Sequence, residues 1–376
     1  MNKTVRKIIT TILFSMVCMV GMGIGPNIAR AEVIAVNQDG YYEYKDIDLE
    51  GYHYEYIHFK VSNYGTADAC VRILSLWTED EDIHIPSEIE GMKVTELCGN
   101  ADEYNASKYC TEENYNLPWS TSKNKKYNSM EIPATVKRIV DEGFWNLRIK
   151  KLVIPKNVEY FGGDNYVQEV VIKGKNTEIG VCAFFNGHLR KITLPNNYQG
   201  KIGGGAFANS RIEEFKWPAY TGNLKKKMEE AVFQDCRRLE KITFSKNVKN
   251  VYIPRDCFYG CSFLDKIVFP KTVKSVIYDF TVHSDNAPDS VSTLVFKGKN
   301  TKLSGAISPH KKISSTLFKK NQKILTVTKV IAPRNSKAMA YAKKAYRIKW
   351  IKPRSPEWID HKDGAKLSKV KRGYRK

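Results

Sequence analysis

Residues 149–296 predict a stacked-coil solenoid in which each coil gives one short strand to a parallel sheet. Three recurring features carry that expectation. The first is a phrase of one apolar, two polar, one apolar, any and one apolar residue, often closed by Pro. It reads IKKLVIP from Ile149, VQEVVIK from Val167, LRKITLP from Leu189, IEEFKWP from Ile212, LEKITFS from Leu239, LDKIVFP from Leu264 and VSTLVFK from Val291. The starts are spaced by 18, 22, 23, 27, 25 and 27 residues, an imperfect repeat period. The second feature is x-x-Val-x-x-apolar after Pro133, Pro155 and Pro270, and after Ser245 where Pro is replaced. The third is a short side chain followed by Phe, at Phe144, Phe184, Phe207, Phe233 and Phe258.

The apolar-x-apolar step fits a strand with alternate side chains turned inward. One coil of that length cannot bury its apolar face alone, whereas stacked coils share a continuous core. Positions one, four and six of each phrase and the Phe residues are therefore the predicted core. Phe144, Phe184, Phe207, Phe233 and Phe258 stand in it, and Cys236 and Cys261 fall three residues after their Phe. Cys257 occupies the short position that Ala183 and Ala206 fill elsewhere. Cys236 and Cys261 would lie at equivalent places on adjacent coils, within disulfide range if the coils stack regularly.

These residues carry a family resemblance. IPATVKRIVDEGFWN, GGGAFANSRIEEFKWP and AVFQDCRRLEKITF resemble the BspA-like leucine-rich repeat of bacterial secreted and surface proteins. The likeness extends upstream to IHIPSEIEGMKVTELCGNA, and downstream KVIAPRNSKAMAYAKKAYRIKW resembles that family's terminal cap, so about residues 52–352 are covered. It implies a leucine-rich repeat right-handed superhelix, with an N-terminal β cap and a C-terminal α/β cap of Pro-led turn, short helix and closing strand. Its functional implication is adhesion or macromolecular recognition at the bacterial surface, an analogy from fold.

Taken in chain order, Lys3, Arg6 and Lys7 precede an apolar run that ends at Ala29-Arg30-Ala31, the pattern of a secretory signal peptide over residues 1–31. The run is short for a membrane span, so no transmembrane anchor is expected after processing. Residues 32–82 read as the N-terminal β cap. Tyr52, Tyr54 and Tyr56 share one strand face there, an arrangement that suits either a strand pair covering the open coil end or an aromatic platform for glycan. The solenoid is expected over 83–330, with an acidic inserted loop near 102–128, where Asp102 replaces Phe. VIYDFTVHSDNAPDS from Val276 lacks the short-Phe step and is expected to bulge, and the stretch from Ile307 to Val327 fits no element. Residues 331–352 read as the C-terminal cap. Residues 353–376 read as a basic tail, either a flexible arm or the start of a further domain.

Charge divides the chain. The net +21 splits into +4 over residues 1–31, −14 over residues 32–116 and +31 over residues 117–376. Such a balance suits an anionic partner, and export argues against nucleic acid. If positions three and five of each phrase face out, Lys151, Lys191, Lys216, Lys241 and Lys266 form a mostly basic strip interrupted by Glu169 and Glu214, continued by Thr293. The expected partner is a protein or anionic polymer outside the cell, from host matrix or cell wall.

No constellation for catalysis appears. The His53 and His58 pair is on opposite strand faces, GKIGGGAF lacks the Lys-Ser/Thr of a phosphate loop, and no serine elbow, HExxH helix or cysteine quartet occurs. The expectation is a binding protein with no cofactor and no metal. The alternatives are an exported enzyme with a site in the acidic N-terminal region or insertion, and a structural envelope protein retained by its basic tail.

Overall fold

A computed structural model of the chain describes residues 38–97, 125–140, 147–162, 166–279, 291, 293–305, 329–346, 357–361 and 364–368. The signal segment, Phe144, the inserted loop up to residue 124, the stretch from Ile307 to Val327 and the expected closing strand near 347–352 lie outside them.

Short parallel strands dominate, and they form two ladders. The first contains the recurring phrase. Asp82–His84, Lys126–Glu131, Arg148–Ile154, Tyr166–Ile172 and Lys191–Thr193 make one parallel sheet. Glu214–Trp217 and Lys241–Phe244 pair next, and Lys266–Phe269, Thr293–Phe296 and Lys329–Ala332 continue in the same sense. The second ladder was not foreseen as a sheet. It takes the residues after each x-x-Val: Met92–Leu97, Arg138–Ile139, Tyr160–Phe161 and Glu178–Ile179 pair in parallel. Single bridges join Ile179 to Ile202 and Ile202 to Met228. Asn250–Ile253, Ser275–Tyr278 and Lys302–Gly305 form its last three strands. The bulge expected from Val276 does not begin there, because Ser275–Tyr278 pairs regularly on both sides, and the rest of that stretch, residues 280–290, lies outside the described ones.

The side chains follow the period-2 rule. Ile149, Leu152 and Ile154 are buried, as are Val167, Val170 and Ile172, and Ile212, Phe215 and Trp217. One outward assignment fails: Thr293 is buried, at 8% exposure. Its position belongs to the exposed row of the earlier strands, but here it is flanked in register by Lys266 and Lys329, whose long stems can cover a short side chain.

Between the ladders runs a turn that stacks as tightly as the strands. Phe184 N–H donates to Ala206 O at 2.8 Å, Phe207 N–H to Val232 O at 2.9 Å and Phe233 N–H to Cys257 O at 3.0 Å. The rings of Phe161, Phe184, Phe207, Phe233 and Phe258 stack in sequence, with centroids 5.2, 5.7, 5.3 and 5.8 Å apart. The turn bends through paired left-handed residues, Cys182 and Asn186, Gly205 and Asn209, Ala231 and Asp235, Asp256 and Gly260, with φ between 53° and 74°. Asn, Asp and Gly at the second of each pair are the residue types that tolerate this region best.

The two cysteines singled out above are buried and form no disulfide. Each thiol instead donates to the carbonyl of the preceding coil: Cys236 Sγ to Phe207 O and Cys261 Sγ to Phe233 O, both at 2.9 Å. Ser210, at the same place one coil earlier, has its Oγ 3.5 Å from Cys236 Sγ.

At the N-terminal end, β1 (Gly40–Leu49), β2 (Tyr52–Ser62) and β3 (Cys70–Trp77) pair antiparallel, and β3 joins Met92–Leu97 in parallel as the start of the second ladder. Tyr54 does not join an exposed aromatic face. It is buried and donates to His84 O at 2.7 Å, which ties β2 to the first ladder, while Tyr52 stacks on the His84 ring at 3.7 Å. At the other end, α1 (Lys337–Tyr346) follows Lys329–Ala332 through Pro333. Ser336 Oγ caps it by accepting from Met339 N–H at 3.2 Å. Part of the segment read as a tail is β-structure: Glu357–His361 and Gly364–Ser368 pair antiparallel, and the latter pairs antiparallel with Lys329–Ala332.

Candidate functional site

The strand register turns the phrase into rows of side chains. Along the first ladder, Ser129, Lys151, Glu169 and Lys191 are direct neighbours, as are Glu214 and Lys241, and Lys266 and Thr293. Lys151, Lys191, Lys241 and Lys266 therefore share one row. Lys216 sits in the neighbouring row, in register with Thr243. All five lysines are exposed. The row is less uniformly basic than its lysines alone suggest, because Glu169 and Glu214 alternate with them. Lys241 pairs with Glu214 at 3.3 Å and Lys216 donates to Asn196 Oδ1 at 3.1 Å. Among the described residues, no carboxylate lies within ion-pair distance of Lys151, Lys191 or Lys266.

The second ladder treats its charges differently. Arg72 and Arg138 both hold Glu96, at 2.6 and 3.6 Å, and the Arg138 guanidinium lies 5.0 Å from the centre of the Tyr160 ring. Further along, Lys201 bridges Glu178 at 3.5 Å and Glu229 at 2.7 Å. The contact with Lys201 holds the Glu229 carboxyl below its usual range, aided by the Gly204 N–H it accepts, and Glu229 in turn raises the Lys201 ammonium. Coil-to-coil pairing thus joins these charges, although among the described residues no carboxylate lies within ion-pair distance of Lys137, Lys249, Lys274 or Lys302 on the same ladder. A groove of about 580 Å³ opens nearby, lined by Gly204, Lys225, Tyr252, Arg255 and Asp279 among others. Its polar groups are largely turned on one another, since Tyr252 O–H donates to Asp279 Oδ2 at 2.8 Å and Arg255 pairs with Glu230.

A row that sequence reasoning missed lies at the edge of the first ladder. Three residues before each row position of Lys151, Glu169, Lys191, Glu214, Lys241 and Lys266 come Arg148, Tyr166, His188, Arg211, Arg238 and Phe263. Arg148 and Tyr166 are partners in register, and each member of the row precedes a buried Leu, Ile or Val. The signal was present as the residue before each phrase, but its identity changes from coil to coil and no period in residue type marks it. Tyr166 and His188 pack with ring centres 5.2 Å apart. Burial, and then the positive charges of Arg211, Arg148 and Arg190, hold the His188 imidazole below its usual range.

Among the N-terminal residues, His53 meets Asp48 at 2.9 Å and Asp46 at 3.5 Å, His58 meets Glu43 at 3.0 Å, and His84 meets Glu131 at 3.0 Å. The histidines are thus held by separate partners. Among the described residues no group of three or more His, Cys, Asp or Glu could hold a metal ion, and no helix is long and apolar enough to cross a membrane.

The family model described as "BspA type Leucine rich repeat region" matches six copies over residues 119–168 and 159–287. No curated protein matches the chain. Solved structures with similar arrangements include a leucine-rich repeat protein from Bacteroides ovatus, 18% identical over 66% of this chain and 66% of that one, with a TM-score of 0.35. The pneumococcal vaccine antigen PcpA is 14% identical over 74% of this chain and 97% of its own, with a TM-score of 0.29. A leucine-rich cell surface protein from Faecalibacterium prausnitzii is 16% identical over 65% and 83%, with a TM-score of 0.27. The assignment rests on the six matched copies and on the in-register strands that they form: residues 119–287 of this chain are a BspA-type leucine-rich repeat region.

Proposed function

We propose that the protein is exported and acts outside the bacterial cell by binding a macromolecule, in adhesion or recognition at the surface. In this reading it is a right-handed leucine-rich repeat solenoid, closed by an N-terminal β cap built on β1–β3 and a C-terminal α/β cap containing α1. The partner is a protein or an anionic polymer of host matrix or cell wall, and it docks on the first ladder. The observation that carries the reading is the contrast between the two faces. Pairs such as Arg72 with Glu96 and Lys201 with Glu229 link coils of the second ladder, whereas among the described residues Lys151, Lys191 and Lys266 of the first have no carboxylate in reach. Unpaired like charges on a rigid sheet repel one another and favour an anionic partner.

Capture of extracellular matrix and purified cell wall by the mature protein, at low and high salt, tests this. Binding that weakens with salt is expected. The combined variant Lys191→Glu, Lys216→Glu, Lys241→Glu and Lys266→Glu should abolish it, and unchanged capture would remove the lysines from the docking face.

A further inference from the structure

We propose that the edge row formed by Arg148, Tyr166, His188, Arg211, Arg238 and Phe263 is a binding track for a linear acidic polysaccharide whose sugar rings carry carboxylate or sulfate groups. The inference rests on the reading above that the protein works by binding outside the cell, but it uses different residues and names the ligand chemistry.

Three observations point to an acidic sugar chain rather than to bare charge. First, the cations are unsatisfied: among the described residues no carboxylate lies within ion-pair distance of Arg148, Arg211 or Arg238, and all three are exposed. A guanidinium presents a planar fork that takes sulfate or carboxylate oxygens in pairs, which a lysine ammonium cannot do. Second, the cations are interleaved with rings. Tyr166 and His188 pack with ring centres 5.2 Å apart and planes tilted by 39°, between Arg148 and Arg211 in the row, and Phe263 ends the row with 65% of its surface exposed. Phe263 is exposed and Tyr166 and His188 are half-buried, and the C–H face of a pyranose is an apolar cover for such rings. Third, among the described residues His188 Nδ1 is buried without a hydrogen-bond partner. A buried polar atom without a partner is uncommon, and a ligand hydroxyl would satisfy it.

The spacing agrees. Successive coils lie about 4.8 Å apart, so two coils match the length of a disaccharide in an extended polysaccharide. Arg148 and His188 are two coils apart, as are Tyr166 and Arg211, so a polymer running along the stack would meet a cation or a ring at each sugar.

The test titrates the full chain with heparin and hyaluronan oligosaccharides, linear polyphosphate and neutral dextran at two salt concentrations. Saturable, salt-weakened binding of at least one acidic oligosaccharide and none of dextran is expected. Arg148→Gln with Arg211→Gln and Arg238→Gln should weaken it about tenfold or more. Tyr166→Ala with Phe263→Ala should weaken it about fivefold while leaving any polyphosphate binding unchanged. Unchanged melting temperatures guard against misfolding, and the single variants Arg211→Gln and Phe263→Ala stand in for any combination that melts early. Polyphosphate bound as tightly as the oligosaccharides, with no effect of the rings, would overturn the proposal in favour of charge alone. Oligosaccharide binding indifferent to the arginines would overturn the placement. If the chain captures matrix or cell wall but binds no oligosaccharide, this proposal fails and the wider reading stands; if it captures nothing, both fail.

Discussion

Gly260 illustrates how a single residue answers to the stack. It occupies the left-handed place held by Asn186, Asn209 and Asp235 in earlier coils, at φ +74°. A Cβ added there would come within 2.9 Å of Asp235 Cγ on the coil beneath. Gly260→Ala therefore combines backbone strain with a clash and should cost about 1–3 kcal/mol, read from denaturant midpoints. The buried phenols make a second prediction. Burial pushes Tyr44, Tyr54, Tyr127, Tyr198 and Tyr220 well above the usual tyrosine range, and for Tyr44 the Glu90 carboxylate that its hydroxyl meets at 2.9 Å adds to the effect. Their folded pKa values exceed those of the unfolded chain, so the stabilisation is complete below about pH 10 and is lost as pH rises beyond it. Phenolate absorbance should then appear together with the loss of circular dichroism, not ahead of it. Early titration of these five would contradict their burial.

At the scale of the element, the unit of stability is the contact between equivalent residues of neighbouring coils. Phe207 stacks on Phe184 and Phe233 and touches Phe215 at 5.9 Å, so Phe207→Ala should cost about 3–5 kcal/mol. In a chain whose coils touch chiefly their neighbours, that loss should destabilise the adjoining coils most, which hydrogen exchange would show. The repeated KGKNT has its own explanation here. Thr177 and Thr301 each stand just before a second-ladder strand, and each buried hydroxyl donates to the previous coil, to Val158 O at 2.6 Å and Val273 O at 2.7 Å. Gly174 and Gly298 make room, since a Cβ at either would strike the threonine hydroxyl. Thr177→Val should cost about 1 kcal/mol by leaving the Val158 carbonyl without its donor. The phrase itself made the first ladder legible, because alternation over six residues dictates which side chains turn inward. The second ladder was harder to read: its strands are as short as the two residues Tyr160 and Phe161, too few for a period to register.

For the whole molecule, some charges find their partners only across coil boundaries. Lys201 and Glu229 meet across a coil boundary, as do Arg72 and Glu96, although they stand 28 and 24 positions apart in the chain. Sequence alone counts these groups but cannot pair them, so the ion pairs of the second ladder, and the arginines that meet no carboxylate among the described residues, stay invisible in it. Removing β1–β3 would expose the open edge of Met92–Leu97 and should leave a chain that aggregates, which light scattering would detect; a soluble, cooperatively melting remainder would deny β1–β3 a covering role.

The sequence by itself determined the repeat, the inward positions of the first ladder and the turn Phe, because each depends on local alternation and on recurrence at a near-constant spacing. Tertiary structure decided which carboxylate meets which cation, that Cys236 and Cys261 donate to carbonyls without joining, and that Arg148, Tyr166 and His188 share an edge. Those relations join residues about one coil apart in the chain and within a few ångströms in space, and only the stacking of coils brings them together.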